Sequence, residues 1–312
     1  MDRAEFYAAI KERGGVADLS HRAKFILTGS DRVRYLNGQV SNDVRKLTEG
    51  EAIYACVMTA KGKMCGDVFI SAGPDFLRLD ADAALREGLA ARLERYIISD
   101  DVALEDVTEK FSIIHRIMPR GSHSRYFGED DDKQSYTLLT NRFFRIHEVC
   151  DFFVERSSFE SVWKNLGEHS AVIDEEMQEV LRIEAGIPRW GFELSEDTIP
   201  VEAGLDKTAI DYNKGCYIGQ EVISRIKSVG HVNKELRGFV SDQPLAANMQ
   251  LFAANDSAKS VGRLTSAAYS FGLARHAALG YLKRGVDASI LTARDANDKT
   301  CEVEVRELPL IP

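Results

Sequence analysis

Two kinds of apolar spacing are mixed along the first part of the chain and predict strands interspersed with helices. Strand-like runs occur at AKFILTG (23–29), AIYACVMTA (52–60), DVFISAG (67–73) and FLRLDA (76–81). Apolar residues recur at helical spacing in DRVRYLNGQV (31–40), ALREGLAARLERYI (84–97) and FESVWKNL (159–166). Ser30 or Asp31 can cap the first of these helices. Because the two kinds of element do not alternate regularly, the pattern predicts an α+β fold.

The last part of the chain has a different pattern. After about residue 236, strand-like pieces separated by turn residues recur: LRGFVS, SVGRLTSAAYS, AALGYLKR, ASILTA and CEVEVREL. Few helix signals interrupt them, so the pattern predicts a small antiparallel β-barrel or sandwich. We therefore divide the chain into a first domain, 1–235, and a C-terminal β-barrel domain, 236–312.

Composition and charge narrow the function classes. Hydrophobic residues make up 44% and charged residues 29% of the chain, which is typical of a globular protein. The net charge of −9 argues against a protein that coats nucleic acid and against direct nucleic-acid binding. No run approaches the roughly 20 apolar residues of a membrane span, and the N-terminal stretch has no signal-peptide pattern. We expect a cytoplasmic protein with no membrane partner.

The cysteines do not form a recognisable metal or disulfide pattern. None makes a C-x-x-C pair, and their spacings fit neither a zinc site nor a self-contained iron–sulfur cluster. An odd number in a cytosolic chain also argues against a disulfide framework. We therefore expect no resident metal, and most of the five to be buried: Cys56, Cys65, Cys150, Cys216 and Cys301.

Two carboxylates stand out as candidate ligand contacts. In DEEMQEVLRIEAGIPRWG, read as a helix, Glu184 shares a face with Met177, Val180 and Leu181 and would point inward. A buried carboxylate needs a partner, either an arginine or a ligand with two adjacent N–H donors, such as a pterin. Asp67, in the glycine-flanked TAKGKMCGDVFI, could orient a ligand or act as a base at a cleft. Its alternative is a turn aspartate bonded to nearby backbone.

The stretch DYNKGCYIGQEVISRIKSVG (211–230) raises the question of a reactive thiol. Gly215 and Gly219 bracket Cys216, and the run from Gln220 is predicted to be helical. A cysteine just ahead of a helix N-terminus is favoured as a thiolate, and Lys214 would lower its pKa further. The alternative is a buried thiol at a tight turn. A single cysteine cannot hold a cluster alone, so a second chain or a small thiol would have to supply ligands.

These residues carry a family resemblance that covers nearly the whole chain. KGCYIGQE (214–221) resembles the K-G-C-[YF]-x-G-Q-E signature of the YgfZ family, folate-binding proteins related to the glycine cleavage T-protein, an aminomethyltransferase. Four further blocks are similar to this superfamily in the expected order: DLSHRAKFILTGSDRVRYLNGQVSNDV (18–44), TAKGKMCGDVFI (59–70), LRIEAGIPRWGFELSEDTIPVEAGL (181–205) and VGRLTSAAYSFGLARHAALGYL (261–282).

The resemblance implies a T-protein-like domain that binds tetrahydrofolate, or a one-carbon derivative, in a central cavity. Glu184 matches the family's pterin-binding glutamate, and Arg182 of the same R-x-E-x-G block is a further candidate cofactor-binding residue. Asp67 matches an acidic position on the folate-cleft strand. Cys216 matches the cysteine on which function depends. The motif residues are Lys214, Gly215, Cys216, Tyr217, Gly219, Gln220 and Glu221.

Two departures from the T-proteins put aminomethyl transfer in doubt. Those proteins carry two adjacent aspartates where this chain reads Gly66-Asp67. They also carry a T-G-Y-T-G-E-D-G stretch where this chain reads NRFFRIHEVCDFFVE (141–155).

The leading hypothesis is a folate-binding factor that assembles or repairs iron–sulfur proteins, including some that modify tRNA. Its partners would be folate and iron–sulfur client or assembly proteins. Cys216 would act as thiolate at the cavity rim, either exchanging with a mixed disulfide or transiently ligating iron. The alternative is a folate-dependent one-carbon transferase in which Asp67 positions or deprotonates an amine. A third reading, a direct tRNA-binding protein, is disfavoured by the net charge.

Overall fold

The structure is a computed structural model that describes residues 2–118, 136–137, 149–168, 170–253 and 256–311. Most of the 141–155 stretch, as far as residue 148, lies outside the described residues.

Six α-helices occur in the described ranges, and each predicted helix is among them. They are α1 (Arg3–Arg13), α2 (Arg32–Gln39), α3 (Arg86–Glu94), α4 (Phe159–Gly167), α5 (Glu175–Glu184) and α6 (Gln220–Val229). Helix α1 was not predicted, although Asp2 and Glu5 form a capping box at its start. Asp31 is the N-cap residue of α2, as predicted, but its side chain accepts no backbone N–H of that helix. Its carboxylate instead accepts from Asp101 N, 2.9 Å away.

Two five-stranded sheets form the first part of the molecule. Their strands are β1 (Gly15–Asp18), β2 (Ala23–Thr28), β3 (Ala52–Met58), β4 (Met64–Ala72), β5 (Leu77–Ala81), β6 (Ala103–Asp106), β7 (Phe111–Ile117), β8 (Tyr136–Thr137), β9 (Val149–Glu155) and β10 (Ala171–Val172). One sheet has the order β10-β1-β7-β9-β8 and the other β3-β4-β5-β2-β6. All four strands predicted before residue 82 belong to the second sheet.

The C-terminal strands close into an antiparallel barrel, as predicted. They are β11 (Lys234–Ser241), β12 (Gln250–Ala253), β13 (Asp256–Ser270), β14 (Arg275–Lys283), β15 (Ile290–Arg294) and β16 (Thr300–Arg306), in the order β11-β14-β13-β12-β15-β16. Strand β12 was missed because its four residues give too short a pattern to distinguish from a loop. The α+β class and the barrel are confirmed, while the division at residues 235 and 236 stays a prediction.

The barrel packs against the rest of the molecule at α5 and at the segment that follows it. The α5 residues predicted to face inward are buried, including Met177, Leu181 and Glu184. Thr265 and Ser266 of β13 each donate to one Glu193 carboxylate oxygen, both at 2.6 Å. These bonds fix the segment that follows α5 against the barrel wall.

No helix in the described part of the chain is long and apolar enough to span a bilayer.

Candidate functional site

A cavity of about 500 Å³ opens beside strands β3 and β4 and is the candidate ligand site. One wall comes from the sheet and the loop before β2, the other from the segment that follows α5. The lining residues that matter below are Arg22, Tyr54, Asp67, Phe69, Arg182 and Trp190. Its size lies within the range of small-molecule sites.

Asp67 presents a buried, incompletely bonded carboxylate on this wall. Tyr54 and Phe69 lie opposite each other on β3 and β4, with ring centroids 4.6 Å apart. The Tyr54 hydroxyl donates to Asp67 Oδ2 at 2.9 Å. Asp67 Oδ1 is buried and has no hydrogen-bond partner among the described residues. Burial raises the pKa of the Asp67 carboxyl, partly offset by the nearby Arg22 charge. This oxygen is therefore placed to bond a ligand.

Arg22 is a cavity residue that the sequence analysis did not single out. Its Nε donates to Asp80 Oδ1 at 2.6 Å, and its guanidinium carbon lies 5.8 Å from the centre of the Phe69 ring. Its Nη2 is buried and has no hydrogen-bond partner within the described ranges. A charged residue just ahead of a strand is too common a pattern to indicate a site.

Arg182 lines the cavity, but its donors are used within the protein. A guanidinium has five N–H groups. Nε and Nη2 donate to the two Glu179 oxygens, Nη1 donates to Ile187 O and Glu193, and Nη2 also donates to Ser266. Every donor is satisfied, so Arg182 shapes the wall and retains no N–H for a ligand. Direct contact between Arg182 and a cofactor stays a prediction.

Glu184 does not line the cavity. Its carboxylate accepts from Tyr7 Oη and Ser270 Oγ, each at 2.6 Å, and from Gly272 N at 3.1 Å. These donors come from α1 and from the barrel, so the side chain joins distant parts of the fold. It is buried as predicted, but its partners belong to the chain. The pterin contact remains a prediction that rests on the resemblance alone.

Lys214 holds a backbone segment in place through three hydrogen bonds. Its Nζ donates to the carbonyls of Asn37, Val40 and Asn42, at 2.7, 2.7 and 2.8 Å. An ammonium has three N–H groups, so none is left for Cys216. Burial lowers the pKa of Lys214 to about 8. The predicted role in activating Cys216 therefore lacks a hydrogen bond.

Cys216 lies on the loop before α6, which begins at Gln220 as predicted, and its side chain is exposed. It is not among the residues that line the cavity. The loop is anchored directly after the thiol, since Tyr217 is buried and Ile218 N donates to Gly38 O at 3.2 Å. Gly219 has φ +92°, and a Cβ there would lie 2.7 Å from Thr59 O. The remaining motif side chains differ in exposure: Gln220 is half-buried and Glu221 is exposed.

The other four thiols are poor nucleophile candidates. Cys56 is buried, while Cys65, Cys150 and Cys301 are partly buried. Burial raises the pKa of all four, that of Cys150 to about 12. If the chain uses a thiol, the exposed Cys216 is the one available. No group of three or more potential metal-ligating His, Cys, Asp or Glu side chains occurs in the part of the chain that the structure describes.

The structure therefore brings Asp67 and Arg182 to one cavity and leaves Glu184, Lys214 and Cys216 outside it. The cavity and the thiol are nevertheless linked through one hairpin. Strand β4 carries Asp67, and the turn between β3 and β4 packs against the loop of Cys216 at Gly219.

Comparisons with known proteins identify the fold. The solved aminomethyltransferase T of the glycine cleavage system from Bartonella henselae superposes with a TM-score of 0.85, covering 99% of this chain and 89% of that one at 16% identity. The chain has the GcvT fold. Residues 3–123 match the family model of the GCVT N-terminal domain.

The sequence relatives of this chain include aminomethyltransferases and an iron–sulfur cluster assembly factor homolog. An aminomethyltransferase of Rubrobacter xylanophilus is 27% identical over 75% of this chain and 66% of its own length. A mitochondrial iron–sulfur cluster assembly factor IBA57 homolog of Dictyostelium discoideum is 24% identical over 71% of this chain and 61% of its own length. The chain is thus similar to both kinds of relative along most of its length, and to the GCVT domain in its N-terminal part.

Because Asp67 is buried, we predict that replacing it with an uncharged residue stabilises the protein, and that the gain depends on pH. The unfolded carboxyl has its ordinary pKa near 3.8, while the folded one is raised. The protonated Asp67 carboxyl therefore adds to the free energy of unfolding below pH 3.8, and this addition is lost as the pH rises through the folded pKa. We expect Asp67→Asn to be more stable than the wild type at pH 7. The difference should shrink towards pH 4, as measured by urea unfolding at both pH values. A difference that does not vary with pH would contradict this account.

Proposed function

We propose that this GcvT-type chain binds tetrahydrofolate in its cavity and acts, through Cys216, in the assembly or repair of iron–sulfur proteins. The observation that carries the folate half is the unpaired Asp67 Oδ1 on the wall of a cavity of about 500 Å³. An unbonded buried carboxylate oxygen is costly, and a ligand donor would remove that cost. The stacked Tyr54 and Phe69 rings beside it offer an apolar wall to a flat heterocycle.

The iron–sulfur half is supported by the exposure of Cys216 and by the KGCYIGQE signature. On this basis we propose that the chain is a YgfZ-type protein, and the name of the Dictyostelium relative is consistent with that proposal. A thiolate at Cys216 would attack a mixed disulfide on a client, forming a new disulfide and releasing the second sulfur as thiolate. Transient ligation of iron delivered as cargo is the other use of the same sulfur.

The cavity and Cys216 act in this proposal as separate sites. Asp67 and the aromatic wall would hold folate, while Cys216 meets the client on the protein surface. The hairpin of β3 and β4 provides the mechanical link, because Gly219 packs on its turn. The effects on tRNA-modifying enzymes would follow indirectly from their clusters. The cytoplasmic location stays a prediction from the sequence.

Titration with tetrahydrofolate separates the roles of the two acidic residues. We expect Asp67→Asn to weaken binding by about tenfold or more, because a charge-assisted hydrogen bond is lost. Glu184→Gln should bind with unchanged affinity and unfold at lower urea concentration, because its three donors belong to the chain. Calorimetric titration measures the first effect and chemical unfolding the second. Absence of binding to the wild type would refute the folate proposal. A folded Glu184→Gln protein that fails to bind would restore the pterin role to Glu184.

The thiol is tested by complementation. In a strain that lacks this gene and has low activity of a cluster-dependent enzyme, the wild type should restore that activity. Cys216→Ser should not, because no other described thiol is exposed. Cys301→Ser is the matched control, since this cysteine is partly buried in the barrel and should complement fully. Full complementation by Cys216→Ser, at equal protein level, would rule out the thiol mechanism.

A one-carbon transferase is the second candidate, favoured by the names of the aminomethyltransferase relatives. The raised pKa of Asp67 suits a group that accepts a proton from an amine. The T-proteins have a second aspartate where this chain has Gly66. Position 66 has little room for that side chain, because a Cβ there would lie 3.1 Å from Leu85. Adjacent strand residues also point to opposite faces, so that carboxylate would face away from the cavity.

Turnover distinguishes the two candidates. We expect purified protein with tetrahydrofolate and an aminomethyl donor to form no 5,10-methylenetetrahydrofolate, followed by its absorbance or by mass spectrometry. Catalytic product formation that is abolished in Asp67→Asn would make the transferase reading the better one.

A further inference from the structure

The cavity holds a second buried polar atom without a partner, the Nη2 of Arg22. Asp67 Oδ1 is an acceptor when ionised, whereas a guanidinium nitrogen is always a donor. No ion pair joins these two side chains within the described part of the structure, although both line the same cavity. The wall therefore offers a donor and an acceptor that the protein itself does not use.

The donor is held in place from two directions. Asp80 accepts from Arg22 Nε at 2.6 Å, and the two side chains are only 15% and 8% exposed. The backbone of Arg22 and of the turn before it is held by the fully buried Lys24, whose Nζ donates to Ser20 O and Arg22 O, both at 2.7 Å. The guanidinium plane is thus oriented before any ligand arrives, which is how a binding site gains specificity.

The unpaired atoms of Arg22 and Asp67 determine which ligand groups can bond to them. An unpaired guanidinium N–H needs an acceptor such as a carbonyl oxygen, and an unpaired carboxylate oxygen needs an N–H or O–H donor. A ring that carries both a carbonyl oxygen and N–H groups satisfies the two atoms together. The Tyr54 and Phe69 rings lie beside this pair and can contact the face of such a ring.

We propose that Arg22 is a ligand-recognition residue, whose Nη2 donates to the C4 carbonyl oxygen of the bound pterin while Asp67 accepts from a ligand donor. This inference rests on the proposed function, because it names the part of the folate that the cavity reads. It assigns the polar edge of the pterin to the sheet side of the cavity rather than to Glu184.

The test compares two ligands that differ at one position. Tetrahydrofolate has an oxygen at C4, and its 4-amino analogue has a nitrogen donor there. We expect Arg22→Gln to weaken tetrahydrofolate binding by about tenfold or more, since a charged donor is removed from its acceptor. The affinity for the 4-amino analogue should fall less than about twofold or should rise, because a donor facing a donor is removed. Isothermal titration of both ligands measures the four affinities.

Two further variants keep the comparison interpretable. Arg22→Lys retains a cation beside Asp80 if Arg22→Gln proves unstable. It should also lose discrimination, since one nitrogen cannot occupy both the Nε and Nη2 positions. Arg86→Gln removes a surface arginine that pairs with Asp106 and Glu109, and should leave both affinities unchanged.

The outcomes separate this inference from the folate proposal. If the wild type binds tetrahydrofolate and both Arg22 variants weaken the two ligands equally, the carbonyl assignment is overturned while folate binding stands. If the wild type binds neither ligand, the folate proposal fails and the assignment to a pterin carbonyl fails with it. Loss of affinity for the 4-oxo ligand alone supports the inference.

Discussion

The buried guanidinium of Arg182 holds together the parts of the molecule on which the candidate site depends. Its five N–H groups join helix α5, the segment after it and barrel strand β13, through Glu179, Ile187 O, Glu193 and Ser266. Removing one partner of such a buried ion pair costs about 3–5 kcal/mol, because the other charge is left without compensation. The position of the cavity wall therefore follows from a network that lies behind it.

Hydrogen-bond satisfaction separates the structural residues from the candidate ligand contacts. Arg182, Glu184 and Lys214 are charged, buried and fully bonded to their own chain. Asp67 and Arg22 are also charged and largely buried, but each retains one unbonded atom on the cavity wall. A folded protein rarely leaves such atoms unpaired without a use for them. The function that we propose rests on this difference more than on the number of charges near the cavity.

The sequence predicted the elements better than it predicted the bonding of the site. Helical spacing placed Glu184 on the buried face of α5, and the glycines placed Cys216 just before α6. Spacing could not show which side chain would reach Glu184, because Tyr7 and Ser270 come from distant parts of the chain. The same limit hid Arg22, whose role depends on Asp80 and the cavity, and it hid the three backbone acceptors of Lys214. Local sequence patterns predict which face of an element is buried and where the chain turns. Hydrogen bonds between residues that are distant in the chain can be identified only once the fold is known.

The cavity and the exposed thiol lie at two places on one structural unit, the hairpin of β3 and β4 with the loop packed on its turn. This arrangement lets folate binding and thiol chemistry share a scaffold without direct contact. The central claim is that the unpaired oxygen of Asp67 marks the folate site. A crystal structure of the protein with tetrahydrofolate tests it most directly. The account predicts the pterin in the cavity with a ligand donor within about 3.2 Å of Asp67 Oδ1. A pterin bound against Glu184, or anywhere outside this cavity, would contradict it.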